Sequence, residues 1–441
     1  MSSKIIVLDD DPTGSQTVHS CLLLTRWDVP TLTLALRDSS PIFFVLTNTR
    51  ALPPDQALAV TQEVCRNLLV ALAETQTTEY LVVSRSDSTL RGHYPIETDA
   101  IAEILGNFNA HFLTPAFFEG GRFTKDSVHY LLVDGVPTPV HETEFARDSV
   151  FAFSHGYLPD YVAEKTQGRI PADRVVRLLL PEIRQGCLPQ LLALHNNTCV
   201  VVDSENQEDM NRFAEAVLSA VAQGKRFLFR SAASLLTALA QLPPQPIPAE
   251  EMAKYRRSDR PGVVLVGSHV KKTTEQVARL LEEPEIEGVE VPVAQLHQPD
   301  GFSQLLADTY ERVQAIHQAG KTPVIFTSRQ ELTFPDVVQR MAFGQEVSRL
   351  LMAIVRHLPP DISFLISKGG ITSNDVLSAG LNLPTARLLG QIIAGCSVII
   401  TPSDHPHFPN LPVVLFPGNV GDRMALLTVY QRMSGKIATQ S

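Results

Sequence analysis

The apolar run "KIIVL" (residues 4–8) leads straight into Asp9, Asp10 and Asp11, and then into a Pro-Thr-Gly turn that ends at Gly14. Carboxylates at the end of a strand can orient a hydroxyl, accept its proton or help hold a metal. Crowding of like charge can also raise one of their pKa values into the range of a base. Two further apolar runs end on polar clusters. "IFFVLT" (42–47) is followed by Asn48 and Arg50, and "YLVVS" (80–84) by "RSDSTLRGHYP". The latter gathers Arg85, Asp87, Arg91 and His93 among the hydroxyls of Ser84, Ser86, Ser88 and Thr89. Guanidinium forks match carboxylates, and Ser or Asp side chains match the hydroxyls of a sugar-like chain. The set reads as a pocket for a small hydroxylated anion. "EGGR" (119–122) adds Arg122, and "HETEFARD" ends on Asp148. Each of these is equally well an ordinary turn or a solvated helix end.

The second half carries a different chemistry. Gly267 and Ser268 in "VGSHVKKTTEQ", Lys368, Gly369, Gly370, Thr372 and Ser373 in "SKGGITSND", and Gly418, Asn419 and Gly421 in "PGNVGD" all follow strand-like runs. Glycines there let backbone N–H groups approach a phosphate closely, and a lysine can neutralise it. Neither the Walker A spacing nor the dinucleotide fingerprint occurs. Any one glycine loop is more often a cap or tight turn, but three in one half favour a nucleotide.

The elements that must position these residues alternate as strand and amphipathic helix, the pattern of a mostly parallel sheet covered by helices. Strands are expected at 4–8, 42–47, 80–84, 110–115, 198–203 and 226–231, with helices over 54–74 and 206–224. After a run of four prolines in "LPPQPIPAEE" (242–251), the alternation restarts at 262–270, 322–329, 361–370, 396–402 and 411–422. The predicted fold is α/β with two domains, each a mostly parallel sheet flanked by helices, and a cleft between them. The domains span 1–242 and 259–441, with a Pro-rich linker over 243–258. In such sheets ligands bind beyond the carboxyl ends of the strands. Residues 116–165 lack clear alternation and are expected to form an excursion with short strands or a lid.

The bulk composition narrows the function. With 44% hydrophobic and 19% charged residues and a net charge of -10, the chain has no long basic run with which to bind nucleic acid. No apolar stretch is long enough for a membrane span and no signal peptide is evident, so a cytoplasmic location is expected. The five cysteines are widely spaced and signal neither a disulfide framework nor a zinc site. His129, His141, His155, His405 and His407 lack metal-ligand spacing.

Two alternatives keep other classes in view. Asp9, Asp11 and Thr13 satisfy D-x-D-x-T, the nucleophile loop of haloacid-dehalogenase-type Mg-dependent phosphatases, although Gly14 stands where an apolar residue is usual. A non-catalytic metabolite-binding protein would bind the same ligands without turnover.

The motifs in order resemble the four-carbon acid sugar kinase family. D-D-x-T-G is matched by Asp10, Asp11, Thr13 and Gly14, the T-N-S-R-like turn by "TNTR" with Arg50, and D-S-T-L-R-G by Asp87 to Gly92. The nucleotide half matches through "GSHV", "GGITS" and "GNVG". The resemblance implies an ATP-dependent kinase acting on a hydroxyl of a short sugar acid, with Mg bridging phosphates. Its partners would be a small sugar acid and ATP; a homo-oligomer is compatible with it. The resemblance also implies roles. Asp11, Ser84, Ser86 and Asp87 would serve the substrate, with Arg50, Arg85 and Arg91 on its carboxylate. Ser268, Gly369, Gly370, Ile371, Thr372 and Gly418 would serve ATP. The catalytic carboxylate is Asp10, Asp11 or Asp87. The chain departs from the family pattern at Ser15, Gln16 and Thr17, at Arg85, at Ile371 and at Asn374, which bears on the acid phosphorylated.

Overall fold

In a computed structural model, residues 3–11, 14, 15, 17–328, 334 and 337–436 are described. Thr13 and Gln16 lie outside the described residues. The chain divides into two compact units, Met1–Pro243 and Pro244–Ser441.

The first unit is built on eight parallel strands. In chain order they are β1 (Lys4–Asp9), β2 (Leu22–Leu24), β3 (Ile42–Leu46), β4 (Tyr80–Arg85), β5 (Ala110–Thr114), β9 (Val176–Leu178), β10 (Thr198–Val202) and β11 (Phe227–Ser231). Their order across the sheet is β2-β3-β1-β4-β11-β5-β10-β9. The central runs are apolar on both faces because helices cover both sides. The helices Pro54–Thr75 and Ile96–Leu105 bury Val64, Leu68, Leu72 and Ile101 against Ile6, Phe43 and Val82. On the far side of the sheet order, Phe112 stacks on Phe229 and meets Phe213 of the helix Gln207–Val221 edge-on. The predicted strands are all present. The two that sequence reading omitted, β2 and β9, have only three residues each and lie at the ends of this order.

The excursion expected at 116–165 is a three-stranded antiparallel sheet with short helices. Its strands are β6 (Arg122–Lys125), β7 (Val128–Val133) and β8 (Val136–Pro139). β6 and β7 turn at Asp126 and Ser127, both left-handed, and two backbone N–H groups of that turn donate to Asp203 at 2.8 Å each. A hairpin ties itself to the main sheet in this way.

The second unit has the order β13-β14-β12-β15-β18-β17-β16. Its strands are β12 (Val263–Val266), β13 (Ile286–Val291), β14 (Thr322–Thr327), β15 (Leu365–Lys368), β16 (Thr385–Ile393), β17 (Cys396–Ile400) and β18 (Pro412–Phe416). The pairs from β13 through β18 are parallel, and β17 runs antiparallel to both its neighbours. β13 and β16 were not anticipated. β13, "IEGVEV", is an edge strand whose two exposed glutamates, Glu287 and Glu290, fall on opposite faces, so it forms neither an apolar run nor a clean alternation. All five cysteines are buried and none is bridged. Among the described residues no helix is long and apolar enough to cross a membrane.

Candidate functional site

The register of the first sheet sets a row of residues side by side at its carboxyl edge. Asp9 pairs with Arg85, Arg85 with Ser231, and Ser231 with Thr114. Because the strands are parallel, the loops after β1, β4 and β5 leave from this one edge, where open α/β sheets place their ligands.

There the three consecutive aspartates enter three environments. Asp9 points inward and is fully buried, with Arg85 Nη1 at 3.8 Å. Burial pushes its pKa up to about 8; Arg85 pulls it back without outweighing that, and Asp10 and Asp11 add to the rise. Its Oδ2 has no hydrogen-bond partner, and a Cβ on Gly14 would sit 2.1 Å from that oxygen. Gly14 is therefore glycine so that the turn can close over Asp9. Asp10 is also buried, but it receives Nε of Arg50 at 3.2 Å, a close contact from Arg50 Nη2, and Ser86 Oγ at 2.8 Å. Asp11 keeps 26% of its side chain exposed and accepts Arg50 Nη1 at 3.0 Å.

Arg50 is aimed by the chain that precedes it. Asn48 takes a left-handed conformation, φ 51°, at the start of a 3-10 turn over Thr49–Ala51, and the Arg50 N–H donates to the Asp10 carbonyl at 3.2 Å. Burial opposes the Arg50 charge, yet Asp10, Asp11 and Asp87 together hold its pKa well above the ordinary value.

Asp87 accepts Arg91 Nε at 2.8 Å and a close contact from Thr89, with Arg50 Nη1 at 4.0 Å. Burial alone would raise its pKa, but Arg50, Arg91 and these hydrogen bonds hold it well below the usual carboxylate range. Arg91 also faces Asp148 at 3.6 Å and lies over the Phe145 ring at 4.9 Å. Gly92 has φ +122°, and a Cβ there would meet Arg230 Nη2 at 2.5 Å, Ser86 Oγ at 2.6 Å and Asp10 Oδ2 at 2.9 Å. The glycine of D-S-T-L-R-G is thus required twice, by conformation and by crowding.

Every sugar-side residue expected from sequence and lying among the described residues joins this cluster. The three arginines expected to face a substrate carboxylate already face carboxylates of the protein. Sequence reading missed the support beneath them. Arg230 Nη1 donates to Glu97 at 2.5 Å and to Ser84 Oγ at 2.8 Å, and Thr49 Oγ1 donates to Glu97 at 2.5 Å. His93 Nε2 lies 3.1 and 3.0 Å from the carbonyls of Thr49 and Leu52, which fixes it as a structural histidine. The only available signal was a charged residue, Arg230, at the end of an apolar run. A small pocket opens among Ser86, Asp87, Arg91, Leu113, Tyr161 and Arg230.

In the second unit the three glycine loops leave β12, β15 and β18, which are adjacent. At about 4.8 Å per strand the loops span roughly 10 Å, the scale of a phosphate chain. They also touch one another. A Cβ on Gly267 would sit 2.1 Å from Thr372 Oγ1, one on Gly369 2.9 Å from the same atom, and one on Gly418 2.8 Å from Ser268 Oγ. Thr273 Oγ1 joins them, donating toward Ser268 Oγ at 3.1 Å and the Gly418 carbonyl at 2.9 Å. Gly370 has open space where its Cβ would be, and Ile371 is 65% exposed.

Lys368 does not reach toward solvent. It is fully buried, its Nζ donates to the Pro417 carbonyl at 2.6 Å and the Gly418 carbonyl at 3.3 Å, and it sits 3.7 Å from the Phe416 ring centroid. Burial lowers its pKa to about 7. Beside Gly267 and Thr372 lies a cavity of about 590 Å³ walled by Val293, Phe334, Phe343, Val347, Leu351 and Met352. His297 stacks on Phe343 at 4.8 Å.

Among the described residues no group of three or more His, Cys, Asp or Glu side chains could cage a metal.

The chain is matched by two family models, the sugar-binding N-terminal domain over residues 5–239 and the nucleotide-binding C-terminal domain over 263–426. It is similar to a D-erythronate kinase of Heliobacterium modesticaldum, 28% identical over 228 residues, which are 48% of this chain and 47% of that protein. The match thus spans about half the length of the curated relative. Among solved structures, a Salmonella typhimurium LT2 protein with a provisional tRNA synthase description superposes with a TM-score of 0.70 at 19% identity, covering 97% of this chain and 98% of that one. A Haemophilus influenzae protein follows at 0.62 and 20% identity, covering 98% and 99%. At these identities the superpositions speak for the fold alone. The ordered pair of domain models, over the carboxylate cluster and the glycine loops respectively, shows that the chain belongs to the four-carbon acid sugar kinase family.

Proposed function

We propose that the protein transfers the γ-phosphoryl group of ATP to a hydroxyl of a four-carbon sugar acid of the erythronate or threonate type. The observation that carries this reading is the trio of touching glycine loops on adjacent strands, bordered by a cavity of about 590 Å³ with mostly apolar walls and Arg340, Ser348 and Asp375 among its lining, in the same chain as an arginine-held carboxylate cluster. The loops suit the phosphates and the apolar walls suit a base. Ser268, Gly369, Gly370, Ile371, Thr372 and Gly418 hold ATP in this reading, and Mg, when bound, offsets the charge on the phosphates.

Phosphoryl transfer needs positioning and charge neutralisation more than covalent help. Of the three candidate carboxylates, Asp10 is buried and saturated by Arg50 and Ser86, and Asp87 is held ionised by two arginines. Asp11, the most open, orients the attacking hydroxyl. Ser86 and Asp87 address the other hydroxyls, Ser84 steadies Arg230 beneath them, and Arg50 and Arg91 keep the acids in place. Arg85 backs the cluster from beside Asp9.

Mixing the protein with ATP, Mg and D-erythronate or D-threonate tests the reading: ADP release that depends on the acid supports it. Phosphate release from sugar phosphates without ATP would replace it with a phosphatase. Asp9 separates the two independently. A nucleophile must be reachable and ionised, whereas Asp9 is enclosed and its pKa stands at about 8. Asp9→Asn is therefore expected to keep ATP-dependent turnover. It should also change the stability profile. The native state holds a proton on Asp9 that the unfolded chain releases near pH 4, so wild-type stability falls as pH rises from about 4 to 8. Denaturant titrations across that window should show a shallower fall in the variant, and an unchanged slope would remove Asp9 as its source.

Gly370→Val probes the nucleotide loop. Beyond its chain neighbours and its own helix backbone, nothing lies within 4 Å of the added Cβ, so thermal stability should hold while ATP affinity drops roughly tenfold or more, the worth of about 1.4 kcal/mol. Unaltered ATP affinity by calorimetry would sink the loop assignment. Gly369, at φ +128°, is the position where valine should also cost stability.

A further inference from the structure

Five arginines stand around the carboxylate cluster, and four of them face a carboxylate within 4 Å. Arg50 faces Asp10 and Asp11, Arg85 faces Asp9, Arg91 faces Asp87 and Asp148, and Arg230 faces Glu97. Arg122 has no such partner among the described residues. Its Nη1 donates to the Gly120 carbonyl at 2.5 Å, and its buried Nε has no hydrogen-bond partner at all. Burial lowers its pKa, and its loop begins at Pro115, which lines the same pocket as Ser86, Asp87, Arg91 and Arg230.

The loop that carries it is built around this side chain. It leaves β5 beyond Pro115, and residues 117–122 close on themselves through paired backbone hydrogen bonds between Phe117 and Arg122, at 3.0 and 2.9 Å. Phe118 N–H is pinned to Ser234 Oγ at 3.1 Å. The guanidinium lies 5.9 Å from the Phe117 ring centroid, and a Cβ on Gly120 would collide with Nη1 at 2.1 Å. Gly121 takes φ +73° to complete the turn. Both glycines of "EGGR" therefore serve to fold Arg122 back into a fixed position. A half-buried guanidinium whose enclosed Nε has no hydrogen-bond partner and that faces no carboxylate within 4 Å among the described residues is costly, and the cost is relieved by a ligand that brings a carboxylate.

We propose that Arg122, folded back over Gly120, receives the carboxylate of the sugar acid. The inference rests on the sugar-acid reading above and assigns the specificity for an acid over a neutral polyol to the "EGGR" loop. Arg50 and Arg91 then organise the aspartates and Arg122 selects the charge.

The test is equilibrium binding, by calorimetry without ATP, of D-erythronate and its neutral amide to the wild type, Arg122→Met, Arg122→Lys and Gly120→Ala. The wild type should prefer the acid roughly 10- to 100-fold, as expected for losing a charged hydrogen-bonded partner. Arg122→Met should erase the preference and leave the weak affinity for the amide unchanged. Arg122→Lys should restore part of it, since lysine keeps the charge but not the fork, and Gly120→Ala should weaken acid binding alone. Equal acid preference in Arg122→Met, or no preference in the wild type, would overturn the proposal. ADP release measured on the same samples judges the kinase reading separately: acid binding through Arg122 without transfer would sink that reading and leave this one standing.

Discussion

Replacing Arg50 by methionine is expected to abolish measurable turnover and to destabilise the first unit by about 3–5 kcal/mol, the cost of stripping the counter-charge from buried ions. Arg50 donates to Asp10 through Nε and Nη2 and to Asp11 through Nη1, and stands 4.0 Å from Asp87. Its loss takes the shared counter-charge from three carboxylates, with Ser86 still on Asp10 and Thr89 and Arg91 still on Asp87. Asp87 supplies the diagnostic pH dependence. In the wild type its carboxyl is held low, so its contribution is present above the unfolded pKa near 4 and is lost only in strong acid. Without Arg50 that carboxyl rises, and the variant should recover relative stability as pH is lowered toward 4. Urea titrations at pH 7.5 and 4.5 measure this directly. A stability loss below about 1 kcal/mol, the worth of an exposed pair, would show that the cluster is far more solvated than its geometry indicates.

Lys368→Met should act on the nucleotide without unfolding the domain. The ammonium gives up hydration to bridge the carbonyls of Pro417 and Gly418, with no ion-pair partner among the described residues. Methionine removes a buried charge, which is favourable, and leaves two carbonyls short of a donor, which is unfavourable; each effect is on the order of 1–3 kcal/mol. Net stability at neutral pH should therefore change little. The loop bearing Gly418 loses its tether, and ATP affinity should fall roughly 10- to 100-fold, as for losing a charge-assisted hydrogen bond, with sugar-acid affinity intact. Linkage gives a second readout. From about pH 7 to 10.5 the unfolded chain carries a proton on Lys368 that the native state has released. Wild-type stability therefore gains from this residue as pH rises through that window, and the burden of the buried charge is full below it. The variant should lack this rise. If ATP binds it as tightly as the wild type, Lys368 is packing and nothing more.

What was legible in sequence follows from what each residue asks of its neighbours. The strands with apolar residues on both faces stand out, because burial on both sides of a parallel sheet leaves an uninterrupted run. β13 does not, since the exposed Glu287 and Glu290 interrupt it, one on each face of this edge strand. "DSTLRG" was legible as chemistry, but the reason for Gly92 was not: the atoms it makes room for belong to Arg230, Ser86 and Asp10, the first of them 138 positions away. Glu97 was hidden in the first turn of a helix, where an acidic residue is ordinary. Phe343 and Leu351, on the helix Val337–Arg356, wall a cavity, and an apolar residue on a helix carries no mark in sequence that separates a cavity wall from core. The direction of Lys368 could not be foreseen either. A strand-end lysine beside glycines suggests a phosphate contact, whereas its register beside Phe416 turns it onto the neighbouring loop.

The buried thiols have a practical consequence. Burial pushes Cys65 and Cys199 up to about 12 and Cys187 up to about 11, so each stays protonated and shielded from electrophiles. With Cys21 and Cys396 buried as well, the native chain is a nearly silent background for maleimide labelling. A cysteine placed at Val136, 62% exposed at the start of β8, whose partner β7 pairs on its other edge with the strand that begins with Arg122, would then carry a single fluorophore, turning the small sheet that bears the "EGGR" loop into its own optical reporter.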